Sequence, residues 1–275
     1  MSKTGLYVVA TPIGNLEDMT FRGVRVLQEV ELIAAEDTRR SRLLLDHYSI
    51  STPMQALHEH NEARVVDGIL RRIADGAAVA LIADAGTPLI SDPGYRLVGA
   101  AQDAVMPVYT VPGPSAVTAA LSVAGLPTDR FAFEGFLPAR AQARRKKLIS
   151  LADEMRTLVF FESSHRVVAS IADMAEILGP GRLAALCREL TKKFETVVRA
   201  PLADLGKLLA DDVNQRRGEF VVVVAGHERE AGEDLDRARQ LFEALQDYLP
   251  ASQAARVAAK ISGVPRRKVY GMHKQ

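Results

Sequence analysis

The sequence predicts an α/β protein built as two consecutive α/β domains with a small helical appendage, and three observations carry that expectation. Short runs rich in valine, isoleucine and leucine alternate with longer segments of helical period, the pattern of strand and helix in turn. The alternation is broken by the proline-rich stretch Val111-Pro112-Gly113-Pro114-Ser115. From Glu233 onward the period is helical only.

Before the break, strands are expected at Leu6 to Ala10, Glu31 to Ala35, Met54 to Leu57, Val79 to Ala83 and Met106 to Val111, with mostly parallel pairing. After it they are expected at Phe131 to Phe136, Thr157 to Phe161, Leu183 to Cys187, Thr196 to Arg199 and Phe220 to Val224. Connections around Glu195 to Ala200 are short, so the second sheet should be mixed and contain antiparallel pairs. Next come Leu235, Ala238, Leu241, Phe242 and Leu245 at helical spacing, then Pro250, an alanine-rich helix and a last segment from Pro265. These three short helices read equally well as a helix-turn-helix module or as a bundle docked on the core. The expected domains are 1–112, 113–230 and 231–275.

Composition narrows the function classes. A 275-residue chain with 48% hydrophobic residues can bury a large core. Lys+Arg (35) and Asp+Glu (34) nearly cancel, so any contact with a polyanion must come from local clusters. The segment after Met1 has no basic stretch leading into an apolar one, and no apolar run approaches the roughly 20 residues that span a bilayer. The expectation is a cytoplasmic protein with no membrane partner. Cys187, the single cysteine, excludes an internal disulfide and a multi-cysteine zinc site, and its apolar surroundings suggest a buried thiol.

Chemistry gathers where strands end. The first strand runs into Thr11-Pro12-Ile13-Gly14-Asn15, a turn at the place where a doubly wound sheet binds a ligand. No Gly-x-Gly-x-x-Gly and no Walker-type loop follow, which disfavours an ordinary dinucleotide or nucleoside triphosphate. The second strand ends in Glu36-Asp37-Thr38-Arg39-Arg40, where Asp37 or Thr38 could cap a helix or serve a site. The fourth delivers Asp84 to Gly94, a loop long enough to present open backbone amides and carbonyls. Ser115 is a good N-cap at the break, and a cleft there would be lined by both domains.

In the second half, Glu162-Ser163-Ser164-His165-Arg166 and Arg188-Glu189-Leu190-Thr191-Lys192-Lys193 leave charged residues directly after apolar runs, as caps or as site residues. His58 and His60 lack a third ligand of known register, so they read as a polar loop or an RNA contact and no metal is expected.

These motifs resemble the tetrapyrrole-methylase superfamily (class III methyltransferases). The likeness rests on Leu6 to Asn15, Ala34 to Arg39, Asp84 to Pro88, Asp92 to Tyr95, Val111 to Pro114 and Arg188 to Lys192. Thr11 to Asn15 with Glu36 to Arg39, Leu57 to Glu62, Glu134-Gly135-Phe136-Leu137-Pro138 and Arg188 to Lys192 resemble its branch acting on the RNA of the small ribosomal subunit.

The resemblance implies a homodimer with S-adenosyl-methionine folded into an interdomain cleft and methylation of a cytidine 2'-oxygen in the decoding region of 16S rRNA. Cofactor contacts would come from Pro12, Asp84, Ala85, Gly86, Thr87, Ile90, Ser115 and Ala116, with Gly226 a further candidate. Relatives with cysteine at Ser115 or asparagine at Ser91 point to backbone atoms there. A ribose hydroxyl is a weak nucleophile, so a base could add about 10²- to 10⁴-fold. Lys192, Glu36, Asp37 and Glu162 are the candidates, the lysine only with a pKa depressed by a crowded basic cleft.

Arg39, Arg40, His58, His165, Arg166, Arg188 and Lys193 suit phosphate contacts, with Arg144-Arg145-Lys146-Lys147 and Arg266-Arg267-Lys268 as outer footholds on rRNA. Two other readings stay open: a methyltransferase of the same superfamily acting on a tetrapyrrole or protein side chain, and a ligand-sensing DNA-binding regulator.

Overall fold

Five short apolar strands build the first sheet: β1 (Gly5–Val9), β2 (Leu32–Ala35), β3 (Met54–Ala56), β4 (Ala78–Ile82) and β5 (Val108–Val111). All pair in parallel, in the order β3-β2-β4-β1-β5. Parallel neighbours need crossovers, and helices α1 (Phe21–Glu29), α2 (Thr38–His47), α3 (Glu62–Ala74) and α4 (Tyr95–Asp103) supply them. Side chains alternate between two cores. Leu6, Val79 and Leu81 pack with Ile69 of α3 and Leu97 of α4, whereas Val9, Ala80 and Ile82 pack with Val26 and Leu27 of α1. Both faces are covered, which is why these strands read as continuous apolar runs.

The second sheet comprises β6 (Phe131–Phe136), β7 (Thr157–Ser163), β8 (Leu183–Arg188), β9 (Thr196–Pro201) and β10 (Glu219–Val224), in the order β6-β7-β10-β8-β9. Only β6 and β7 pair in parallel; the other pairs are antiparallel, β8 and β9 across the short connection between them. One face packs on α6 (Ala141–Ser150), α7 (Val167–Leu178) and α8 (Leu202–Asp211) through Leu148, Ile171 and Leu205. The other packs on α5 (Ala116–Val123) through Val117 and Leu121, and here Cys187 is buried, its thiol pushed up to about 12 by burial. The ten strands fall where the sequence expects them, with ends shifted by no more than one or two residues.

The computed structural model describes residues 2–58, 61–228 and 233–271, and the chain divides into the units Met1–Gly226 and His227–Gln275. The first sheet is formed before residue 112 and the second after it, both within the first unit. The second unit holds α9 (Glu233–Gln246), α10 (Ala251–Ser262) and α11 (Arg266–Gly271) around a core of its own, with Ala238, Phe242, Ala254, Ala258 and Val269 at its centre. Gly263, at φ 75°, takes the left-handed conformation that ends α10 before Pro265. Among the described residues no helix is long and apolar enough to cross a membrane.

Candidate active-site cleft

Parallel pairing points the C-terminal ends of β1, β2, β4 and β5 the same way, and their loops are stitched to one another there. Thr11 and Gly86 form an antiparallel bridge, Thr11 Oγ1 donates to the Ala83 carbonyl (3.2 Å), and Thr87 Oγ1 donates to the Pro114 carbonyl (3.0 Å). The β4–α4 loop passes through the left-handed region at Gly86 (φ 81°), and also at Leu89 (73°) and Ser91 (69°), where a side chain makes it costly. These loops and the second sheet enclose a cleft of about 440 Å³.

Of the expected cofactor residues, Asp84, Ala85, Gly86, Thr87, Ile90, Ser115 and Ala116 line the cleft. Pro12 is buried but does not line it, and its neighbour Ile13 does. Ser115 is the N-cap of α5, yet its side chain makes no capping bond. Gly226 is not among the lining residues. A Cβ there would lie 1.9 Å from the Met155 carbonyl oxygen, so this glycine permits a close backbone packing.

One wall is acidic. Glu36, Asp84 and Asp92 all line the cleft, and the Asp84 amide lies 3.5 Å from a Glu36 carboxylate oxygen. Burial first, and then the Asp84 charge, raises the Glu36 pKa. Burial, Glu36 and Asp84 push Asp92 to about 7. Asp84 itself accepts from the Asp37 amide (3.0 Å) and pairs with the exposed Arg40 (3.1 Å). Asp37 turns to the helix instead, its carboxylate accepting from the Arg39 amide (2.8 Å) as the N-cap of α2.

Lys192 lines the same cleft from the β8–β9 loop, where Glu189 (φ 52°) and Thr191 (φ 65°) are left-handed. Its ammonium pairs with Glu189 (3.0 Å) and Glu219 (2.8 Å). Burial alone would lower its pKa, but the bonds to Glu219 and Glu189 outweigh burial and raise it. The expectation of a basic cleft that depresses this pKa is therefore corrected: the neighbours are carboxylates, and the lysine is held as a cation. Thr191 Oγ1 is buried with no hydrogen-bond partner among the described residues.

Glu162 lines the cleft but is committed to partners within the protein. Its side chain is 1% exposed, accepts from Ser170 Oγ (2.6 Å) and the Ser163 amide (2.8 Å), and pairs as an ion with Arg166 Nε at 3.0 Å. Three expected RNA contacts are corrected likewise. Arg188 is buried, donating to Thr196 Oγ1 (3.0 Å) and the Arg217 carbonyl (3.3 Å). Arg144 is buried against Asp173 (2.7 Å), and Arg145 is divided between Asp173 and Glu176.

Arg39, Arg40, His165, Lys193, Arg266, Arg267 and Lys268 are exposed, Arg40 while pairing with Asp84, and Arg166 is half-buried against Glu162. The His58 carbonyl accepts from the Asn61 and Glu62 amides, and His58 is not among the residues lining the cleft; His60 falls outside the described residues.

A cleft at the C-terminal edge of a parallel sheet, closed by a mixed sheet, defines an α/β ligand-binding enzyme fold. The family Tetrapyrrole (Corrin/Porphyrin) Methylases matches residues 5–206, and the family RsmI C-terminal HTH domain matches residues 231–272. The chain is 52% identical over 272 residues to ribosomal RNA small subunit methyltransferase I of Pseudomonas aeruginosa, covering 98% of this chain and 96% of that one. It is 51% identical to the protein of the same name from Xylella fastidiosa strain Temecula1, covering 98% of this chain and all of that one.

Among solved structures, uroporphyrin-III C-methyltransferase from Thermus thermophilus, complexed with S-adenyl homocysteine, matches with a TM-score of 0.54 at 19% identity, covering 80% of this chain and 96% of that one; this likeness shows the fold. The class of protein is thus a methylase of the tetrapyrrole-methylase fold. The chain belongs to the ribosomal RNA small subunit methyltransferase I family. With the family goes its cofactor, S-adenosyl-methionine.

Sequence reasoning did not single out Asp92, Phe136, Phe161 or Glu219 as site residues, yet all four line the cleft. Asp92 stands in the quoted Asp92-Pro93-Gly94 turn, so a signal existed. Glu219 reaches Lys192 only through the β8–β10 pairing, which no local pattern reveals.

Proposed function

We propose that the chain methylates the 2'-oxygen of a cytidine ribose in the decoding region of 16S rRNA, acting as a homodimer in the cytoplasm. The observation that carries this reading is the similarity over 98% of the chain to relatives named for small-subunit ribosomal RNA. The exposed Arg266, Arg267 and Lys268 in the second unit add a cationic patch suited to phosphate. The division into 1–112, 113–230 and 231–275 remains our proposal for the domain plan.

The cleft residues fit the cofactor. The volume lies within the range of small-molecule sites, Ile13, Ile90 and Leu190 offer apolar contact, and the loop Asp84 to Thr87 offers backbone groups. Glu36, Asp84 and Asp92 provide negative charge for a ligand that carries a sulfonium and an ammonium. When bound, S-adenosyl-methionine supplies an activated methyl group: the carbon–sulfur bond breaks as a carbon–oxygen bond forms, the sulfur keeps the electron pair as a neutral thioether, and the hydroxyl proton leaves.

Four residues were candidates to take that proton. Asp37 is engaged as a cap, and Glu162 in two internal hydrogen bonds and an ion pair with Arg166. Lys192 is held charged, which suits it to a ribose phosphate and not to proton abstraction. Glu36 keeps a carboxylate on the cleft wall, its pKa raised by burial and by the Asp84 charge, and we assign it the proton. Ile13, Ser115 and Ala116 hold the cofactor, and Arg39, Arg40, His165 and Lys193 take phosphates.

The test is transfer of labelled methyl from S-adenosyl-methionine to small ribosomal subunits lacking their native modification, run beside a tetrapyrrole acceptor. Label in the RNA fraction is expected. Label only in protein or only in the tetrapyrrole would replace this reading with another acceptor.

A further inference from the structure

The β6 strand contains a bulge that changes which way its last residue faces. Register runs Phe133 to Val159 and then Gly135 to Phe160 and Phe136 to Phe161, so one residue of β6 is extra. Side chains alternate along a strand, and Phe133 and Phe136, three apart, would otherwise lie on opposite faces. The extra residue restores their parity. Both rings meet Phe161, with centroids 4.8 Å and 5.6 Å away in edge-on contacts. Gly135 adopts φ 65° at the bulge, and a Cβ there would lie 3.4 Å from Ser91 Oγ, on the loop across the cleft.

The bulge thus aims Phe136 at the cleft, which it lines together with Phe161. Phe136 is nevertheless 53% exposed, more than any other large apolar residue described in the ten strands. It is also held firmly. The Arg166 guanidinium lies 5.8 Å from its centroid, and Arg166 is fixed by Glu162 (3.0 Å) and by the Leu137 carbonyl (3.2 Å). A fixed, half-exposed aromatic ring beside an arginine at the mouth of a cleft is the arrangement on which nucleobases stack.

We infer that Phe136 stacks on a base of the RNA substrate, either the target nucleotide or its immediate neighbour, and so sets the ribose against the cofactor. The inference rests on the proposed function. Glu162, Ser170 and Arg166 then form a support for the ring, which gives the buried Glu162 a use other than proton transfer.

The experiment compares wild type with Phe136→Ala, Phe136→Leu and Phe136→Tyr in methyl transfer to unmethylated small subunits, and measures S-adenosyl-homocysteine affinity by calorimetry for each. The expected result is a KM for subunits raised about 5- to 150-fold in Phe136→Ala, the span that base–aromatic stacking gives. Leucine, apolar but not flat, stays impaired; tyrosine restores the wild-type value; cofactor affinity holds within twofold throughout, which also reports that the variants fold. An unchanged KM in Phe136→Leu, or a loss confined to cofactor affinity, overturns the inference, the latter because the ring would then serve the adenine. A wild type that labels no RNA overturns the proposed function and this inference with it, whereas RNA labelling with an indifferent Phe136 overturns the stacking alone.

Discussion

The stem of Lys192 fills the space that a side chain on Gly14 would occupy: a Cβ on Gly14 would lie 2.5 Å from Lys192 Cγ and 2.6 Å from Cε. The β1 loop of the first sheet and the β8–β9 loop of the second therefore meet through a glycine and a lysine, and the contact aims the ammonium at Glu189 and Glu219. Gly14→Ala should displace the lysine and lower kcat/KM on subunits by about 10²-fold, the effect of misplacing a positioning group by an ångström. Lys192→Met, which keeps the stem and removes the charge, should raise KM for the subunit while leaving cofactor affinity unchanged. Steady-state kinetics of both variants, with calorimetry for the cofactor, check this; full activity in Gly14→Ala would mean the contact is incidental.

Asp92 gives the cleft a pH dependence. Its folded pKa of about 7 lies above the ordinary carboxylate value, so the folded protein binds more protons than the unfolded chain between the two. Stability of the ligand-free protein should fall as pH rises through that window. A cationic ligand prefers the ionised form, so cofactor Kd should decrease as pH rises through about 7. Asp92→Asn should flatten both profiles, which thermal melts and calorimetry across the same pH series would record.

Arg144 is read here as structural. Its side chain is 7% exposed and that of its partner Asp173 is 13% exposed, so Arg144→Ala leaves a mostly buried carboxylate with Arg145 alone. A loss of about 2 kcal/mol in urea unfolding is expected. Affinity for ribosomal RNA, measured by filter binding at a temperature where the variant is folded, should not change.

Arg266, Arg267 and Lys268 are exposed and belong to the second unit. Replacing all three with glutamine should weaken subunit binding and reduce the slope of log affinity against log salt by up to about 2. If binding and slope both stayed at wild-type values, this patch would have no part in RNA contact.

Much of the frame was legible from the chain because its signals are local. The β1 turn, the Asp84 to Gly94 loop and the break at Pro112 follow from strand patterning and turn residues, and their loops converge because parallel pairing sends strand ends the same way. What the sequence concealed depends on pairing between distant segments. Arg144 and Arg188 look like free cations until Asp173, and until Thr196 with the Arg217 carbonyl, fold against them. Lys192 reads as part of a basic run, yet Glu219, 27 residues on, reverses the sign of its surroundings. Phe136 was hidden by the bulge: strict alternation along β6 puts its ring on the wrong face.

The most direct measurement is the position of the transferred methyl within the RNA. After reaction with unmethylated small subunits, the labelled RNA is mapped by nuclease fragments and then cleaved with alkali, which spares a linkage whose 2'-oxygen carries a methyl. The expected product is one alkali-resistant linkage at a cytidine of the decoding region. A labelled nucleotide released by alkali would put the methyl on a base, and would contradict transfer to a ribose oxygen.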